Sequence, residues 1–298
     1  MAKILITGGT GLVGNQLSKI LSNSGHEVRH LSRTPDPDAE FPTFEWNIKE
    51  NFLDPKAIDG IDHIIHLAGA GVADKRWTDD RKKVIINSRV DSIKLLHNEV
   101  KSANLKLDSF ISASAIGYYG MDTGESHLDE NSSAGEDFLA EVVKKWETEA
   151  DTFAAITKVA KVRIGVVLSE KGGAMVEIAK PINYLVGAPL GSGKQYMSWI
   201  HLEDLCQVFA YVLENNLEGT YNATAPNPVT NEALTKTLAK ALKKPLFLPN
   251  VPGFMMKLIL GEMAEMVLGG NYVLSDKIQS TGFKFKFTEV EAAVKDLV

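Results

Sequence analysis

Lys3-Ile4-Leu5-Ile6-Thr7-Gly8-Gly9-Thr10-Gly11-Leu12-Val13-Gly14 opens the chain as a short apolar strand that runs straight into glycines. A helix-like pattern follows. Glycines at 8, 9, 11 and 14 let backbone N–H groups approach a pyrophosphate with no side chain in the way. A helix beginning near Leu12 adds the positive end of its dipole. Gly14 lets that helix pack closely on the strand. The next strand, Glu27-Val28-Arg29-His30-Leu31, comes one helix length later, and Gly25 is placed as a helix stop. Together they read as a βαβ unit of the dinucleotide-binding kind.

The alternation continues. Strand-like runs at Thr43–Trp46, Ile61–Leu67, Ser109–Ala115 and Lys161–Leu168 are separated by helical stretches over Asp79–Ala103 and Phe138–Thr157. This order predicts an α/β fold, a Rossmann-type doubly wound parallel sheet covered on both faces. The site then lies beyond the carboxyl ends of the strands, at Gly8–Gly14, Ala68–Gly71, Ser112–Ala115 and Gly165–Leu168. After Leu168 the rhythm breaks. Gly172–Lys194 is glycine-rich and apolar, Gly219–Ala223 reads as one more strand, and residues 231–242 and 252–268 read as helices. The expected division is a dinucleotide-binding domain over 1–168, with 198–225 returning to it. Residues 169–197 and 226–298 form a smaller, mostly helical C-terminal substrate lobe.

Composition narrows the function classes. The chain has 298 residues, 44% hydrophobic and 23% charged, with a formal net charge of −6. Lys and Arg are spread out, so no nucleic-acid footprint is visible. The acidic balance argues against adhesion to anionic membranes. Lys257, Glu262 and Glu265 interrupt the most apolar tract and exclude a spanning helix. A single cysteine, Cys206, rules out an internal disulfide and fits a reducing cytoplasm. The opening strand belongs to the fold and is not expected to double as a cleaved signal.

Several motifs resemble the extended short-chain dehydrogenase/reductase superfamily. They are Thr7-Gly8-Gly9-Thr10-Gly11-Leu12-Val13-Gly14, His66-Leu67-Ala68-Gly69, Asn87 in the following helix, and Ser112-Ala113-Ser114. More narrowly, Lys145-Trp146-Glu147, Arg163-Ile164-Gly165-Val166-Val167-Leu168, Gly172-Gly173-Ala174-Met175 and the run from Pro189 through Trp199-Ile200-His201 to Asp204 are similar to "epimerase family" proteins related to sugar-nucleotide epimerases. The resemblance implies a cofactor set of Thr7, Gly8, Gly9, Thr10, Gly11, Leu12, Val13, Gly14, Ser32, Arg33, Leu67, Ala68, Gly69, Ala70, Asn87, Gly165 and Val166. It implies Ser114 as the serine that bonds the reacting oxygen of a substrate.

Strand two ends in Ser32-Arg33, where NAD-specific folds place a carboxylate. A guanidinium there binds a 2′-phosphate that a carboxylate would repel, so NADP is expected over NAD. The superfamily's Tyr-x-x-x-Lys pair is absent. With Glu147 aligned to the glutamate that often follows that pair, the tyrosine position falls near Leu139 and the lysine position near Val143. Neither can transfer a proton. Tyr118 and Tyr119 are the nearest phenols; one is a relocated acid/base, or both line the pocket. Trp77 and Trp199 are candidates to stack on a substrate, and Lys194 and Gln195 to bind its polar groups. His201 is read as substrate-side or as a helix-terminal hydrogen bond. Gly191-Ser192-Gly193-Lys194 fails as a phosphate loop, because Ala188 and Gln195 break the pattern. No metal set is evident.

The expected function is an NADP-dependent oxidoreductase or epimerase-like enzyme acting on a nucleotide-sugar-like or other small polar substrate. The alternative is a catalytically degenerate NADP(H)-binding sensor or regulatory protein. Nucleic acid and membrane are not expected partners; a homodimer is left open.

Overall fold

The computed structural model describes residues 1–298, and β1 (Lys3–Thr7) lies deep inside it. Ile4, Leu5 and Ile6 are fully buried, as a strand covered on both faces requires. The further strands are β2 (Glu27–Ser32), β3 (Thr43–Asn47), β4 (Phe52–Leu53), β5 (His63–His66), β6 (Ser109–Ala115) and β7 (His127–Leu128). They continue with β8 (Lys158–Ile164), β9 (Val166–Leu168), β10 (Tyr196–Met197), β11 (Trp199–His201), β12 (Gly219–Ala223), β13 (Val229–Thr230) and β14 (Tyr272–Val273). The main sheet has eight strands in the order β12-β8-β6-β5-β1-β2-β3-β4. Every pairing is parallel except the short β3–β4 hairpin. This is the Rossmann-type architecture. The order reverses beside β1, so the crevice at the strand ends opens where the glycine turn sits.

The principal helices are α1 (Leu12–Asn23), α2 (Asp79–Ser102), α3 (Phe138–Ala150), α4 (Ala174–Asn183) and α5 (Leu202–Glu214). The remainder are α6 (Asn231–Ala241), α7 (Gly253–Leu260), α8 (Glu265–Leu268), α9 (Asp276–Ser280) and α10 (Val290–Asp296). Apolar side chains on α1, α2, α3 and α5 join the sheet in one continuous core. A second core forms around Trp199, Leu234, Leu238, Val290 and Val294 and takes in Leu168.

Three elements differ from the sequence reading. The Phe138–Thr157 helix ends at Ala150 and continues as a 3-10 turn over Asp151–Ala155. The strand expected over Lys161–Leu168 starts at Lys158 and divides at Gly165. A Cβ there would overlap the Ser198 carbonyl oxygen and lie 2.8 Å from the Thr224 methyl. That close approach hands the chain to β11, which pairs with β9 outside the main sheet. The apolar run 252–268 breaks at Gly261, whose φ of 63° ends α7.

Three buried histidines lie on strands of the main sheet, and two of them, His30 and His66, have strongly lowered pKa values. The His30 ring lies where a Cβ on Gly9 would be, with Nε2 2.7 Å from the Ser18 hydroxyl. His66 Nε2 lies 2.8 Å from the Ser92 hydroxyl. Burial lowers His30 to about 4 and His66 to about 3, from an ordinary value of 6.5. The unfolded chain therefore takes up these protons first as pH falls. Their contribution is full above about pH 6.5 and is lost progressively toward pH 3. The melting temperature should drop across that window, and the drop should be shallower in His66→Gln. Equal slopes for variant and wild type would contradict the assignment.

Candidate functional site

The glycine turn is built by close contacts. Gly8 has φ of 69°, a left-handed conformation that favours glycine. A Cβ on Gly14 would overlap the Gly8 carbonyl oxygen and come within 2.6 Å of the Gly9 Cα. Gly11 is different. Its φ of −76° suits any residue, and a Cβ would meet only the Gly8 oxygen, at 3.2 Å. That backbone oxygen would crowd a side chain, and on its other side Gly11 borders a cavity. Gly11 caps α1 without a side-chain hydrogen bond, and no acid lies in the first turn. The helix amides and their positive dipole end are thus unspent.

A cavity of about 290 Å³ opens at this point, lined by Thr10, Gly11, Leu12, Asn15, Gln16, Lys171 and Leu202. Lys171, on the loop between β9 and α4, was not anticipated. No local pattern marks it, because only the fold brings it to the turn. A larger cavity, about 410 Å³, lies between residues 55–60 and 103–105 at the amino ends of the strands, away from this chemistry.

Neighbouring strand ends complete the rim. The buried Thr7 hydroxyl accepts from the Leu67 and Ala68 amides at 3.1 Å, tying β1 to the end of β5. The Ala70 amide donates to the Ser88 hydroxyl at 2.9 Å, and Arg89 donates to the Ala70 carbonyl at 3.0 Å. A Cβ on Gly69 would sit 2.9 Å from the Arg89 guanidinium carbon. Asn87, assigned to the cofactor from sequence, is exposed. The helical phase of α2 instead turns Ser88 and Arg89 inward. Gly165 and Val166 meet Ser198 rather than open space. Ser32 bonds within its own turn, and Arg33 is exposed beyond β2.

The proposed catalytic residues fall into a buried polar network. The Ser114 hydroxyl donates to Glu147 Oε1 at 2.6 Å. Arg163 grips the same carboxylate through Nε at 2.8 Å and Nη2 at 2.9 Å. Arg163 Nη1 donates to the Tyr119 hydroxyl at 3.0 Å, which donates to Asn222 Oδ1 at 2.7 Å. The Asn222 amide reaches Glu130 at 2.7 Å, and its side chain donates to the Leu274 carbonyl. Burial opposes charge on Arg163, but the bonds and charge of Glu147 outweigh it and raise the guanidinium further. Burial pushes the Tyr119 phenol up to about 12, with Arg163 working against it. Two residues proposed from sequence as catalytic are thus tied into this network, Tyr119 through two hydrogen bonds and Ser114 through its hydroxyl.

Tyr118 is half-buried, with the Arg163 guanidinium 3.4 Å from its ring centroid, and its hydroxyl makes no bond within the chain. Leu139 and Val143 flank the turn after Ser114. A Cβ on Gly117 would lie 3.3 Å from Leu139 Cβ and 3.9 Å from a Val143 methyl. Glu147 and Arg163 carried a signal: a carboxylate on the apolar face of a helix and a guanidinium inside an apolar strand are mutual partners when buried.

The substrate-side assignments change most. Trp199 is fully buried and donates to the Asn227 carbonyl at 3.0 Å. Trp77 is buried too, donates to the Val72 carbonyl at 2.9 Å and packs edge-on against Phe138. Neither ring can stack on a substrate. Gln195 ties the Leu190 and Val267 carbonyls together. His201 caps α5, its Nδ1 accepting the Glu203 amide at 3.1 Å, and burial lowers its pKa. Asp204 accepts the Lys286 and Phe287 amides. Lys194 alone is exposed.

Comparison with known proteins agrees with this geometry. The model of the NAD dependent epimerase/dehydratase family matches residues 4–142, and that of a domain of unknown function, DUF1731, matches residues 251–297. An epimerase family protein of Staphylococcus aureus is 37% identical over 300 residues, covering 100% of this chain and 99% of the relative. A human epimerase family protein, crystallised with NADPH, is 30% identical. It covers 99% of this chain and 98% of that one, with a TM-score of 0.89. A nucleoside-diphosphate sugar epimerase from Corynebacterium glutamicum is 31% identical with a TM-score of 0.79, covering 99% of this chain and 58% of that one. The chain belongs to the epimerase family, within the extended short-chain dehydrogenase/reductase class.

The network makes a quantitative demand. Glu147→Gln leaves Arg163 buried without its counter-charge and should cost about 3–5 kcal/mol. Ser114→Ala removes one bond to a charged group and should cost about 1.5–3 kcal/mol. Urea unfolding of the two variants measures both. A Glu147→Gln cost no larger than that of Ser114→Ala would show that the pair does not hold this face together.

Proposed function

We propose that this member of the epimerase family binds NADP(H) at the glycine turn and acts as an oxidoreductase or epimerase on a small polar substrate, with nucleoside-diphosphate sugars the first class to test. The observation that carries the reading is the cavity bordered by Thr10, Gly11 and Leu12, at an α1 N-terminus with no cap of its own. That cradle fits a pyrophosphate. Arg33 supplies the cation for a 2′-phosphate, and no carboxylate competes at the end of β2. Lys171 faces the same cavity and is assigned to the pyrophosphate. The NADPH of the human relative and the sugar-nucleotide class of the Corynebacterium relative support the same choice.

When bound, the nicotinamide supplies hydride exchange with a substrate carbon. The residues of the chain bind and orient. Leu139 and Val143 exclude water beside the turn but move no proton. Tyr118 is the phenol left to hold one at a substrate oxygen, since Tyr119 is bound on both sides. A second reading has its own observation. Apolar side chains at both acid/base positions favour an NADP(H)-binding sensor without turnover.

Calorimetry separates the two cations. Arg33→Ala should weaken NADPH about ten- to hundredfold and leave NADH nearly unchanged. Lys171→Ala should weaken NADPH and NADH alike. Equal wild-type affinity for both dinucleotides would sink the NADP assignment. Gly11→Val should fold and lose both. Incubation with nucleoside-diphosphate sugars, followed by product analysis because an epimerase shows no net oxidation, should reveal a changed sugar. Tyr118→Phe should slow its formation about a hundredfold or more. Tight NADPH binding with no product from a broad panel would move the sensor reading ahead.

A further inference from the structure

Arg89, on α2, is a buried cation without a counter-charge. It is 8% exposed, and the charge that bears on it, from Arg81, has the same sign. Nη1 donates to the Ala70 and Ile85 carbonyls at 3.0 and 2.9 Å. The guanidinium lies 4.9 Å from the Trp146 ring centroid, and Gly69 packs against it. Nε is sealed in with no partner. Nη2 also makes no bond within the chain, but it is not sealed in. Arg163 shows how this chain settles such a charge elsewhere. Its Nε and Nη2 both donate to Glu147. Buried charges are paired as a rule, and Arg89 departs from it.

Arg81, earlier on α2, donates from Nη2 to the Gly71 carbonyl, and its Nε is likewise sealed in with no partner. The two guanidiniums thus hold consecutive residues of the loop after β5. The acids on the adjoining segments do not neutralise Arg89. Asp74 lies 3.4 Å from Arg81 with its side chain 65% exposed. Glu262 pairs with Lys82, and Asp79 and Asp80 are exposed in the first turn of α2. Neither the cradle at Gly11 nor the Glu147 network uses either arginine.

We propose that Arg89, supported by Arg81, is a subsite for an oxyanion of the substrate, a carboxylate or a phosphate. A guanidinium with unspent donors takes an oxyanion in preference to a neutral hydroxyl, through charge-assisted bonds. Buried surroundings strengthen that attraction. The sheet order says which ligand brings the anion. Arg33 follows β2 and the glycine turn follows β1, whereas Gly69 and Ala70 follow β5, on the opposite side of β1 from β2. A dinucleotide with its 2′-phosphate at Arg33 and its pyrophosphate at the glycine turn extends its nicotinamide half toward β5 and β6. The substrate lies on that half. The assignment to the substrate rests on the proposed cofactor site; the unpaired cation stands without it.

Trp146 reports on the site, since its ring lies against Arg89 and its indole nitrogen is unbonded. The chain has four tryptophans, so isotope-labelled indole groups give four NMR signals, and Trp146→Phe identifies one. Acetate or inorganic phosphate, added to the full chain at constant ionic strength, should move that signal saturably, with NADPH bound as well as without it. Arg89→Met should weaken the binding about tenfold or more, the loss of one bond to a charged group, and leave NADPH affinity nearly unchanged. Should that variant fail to fold, two others carry the test: Arg81→Gln should weaken the shift, and Arg89→Lys should retain it. No saturable shift in the wild type would overturn the proposal. So would a shift that survives the loss of either arginine. A shift abolished by NADPH would also overturn it, assigning the cation to the dinucleotide phosphates. Failure of the cofactor site reads differently: the wild type would bind no NADPH while the anion shift persisted.

Discussion

Helix α1 can lie against the end of β1 only because position 14 carries no side chain. A Cβ there would overlap the carbonyl oxygen of Gly8, and Gly8 itself adopts a left-handed φ. That contact aims the first turn of α1 across the ends of the parallel strands. The unspent amides, the dipole and the cavity beside Gly11 then coincide at one point. The rest of the rim is referred to it. Thr7 fastens the end of β5 to β1, and Ser88 and Arg89 hold the next residues of that loop from α2.

A second constraint works at depth. Glu147 and Arg163 are buried together, and the guanidinium is held by two bonds to the carboxylate. Such a pair adds little stability over apolar residues of the same size, but breaking it is expensive. Its effect is positional. Through Tyr119 and Asn222 it connects α3, the turn after β6, β8 and β12, and Asn222 reaches on to the backbone at Leu274. The hydroxyls of Ser114 and Tyr119 are absorbed by this scaffold. The neighbouring Tyr118 hydroxyl makes no bond within the chain.

What could be read from sequence was what depends on near neighbours. The strand-turn-helix at 3–14 is local, and so is the β-α alternation that implies a parallel sheet. Trp77 and Trp199 defeat such a reading, because the segments that bury them come from distant parts of the chain. Asn87 lies exposed on α2, while its neighbours Ser88 and Arg89 turn inward to the loop after β5. A window of sequence does not say which side of α2 meets the loop after β5. Ser114 stood at the anticipated strand end, but its partner lies 33 residues away. Gly165 and Gly261 broke elements for opposite reasons, one through close approach to Ser198 and the other through positive φ. His30 gave no signal at all, since its task is to fill the space that Gly9 leaves.

The central claim is that the turn at Gly8–Leu12 holds the pyrophosphate of NADP(H) while Arg33 holds its 2′-phosphate. A crystal structure of the chain grown with NADPH tests it most directly. The account predicts diphosphate oxygens within hydrogen-bond distance of the amides opening α1, and the 2′-phosphate paired with the Arg33 guanidinium. Density for the dinucleotide elsewhere, or an Arg33 turned to solvent above a bound 2′-phosphate, would contradict it.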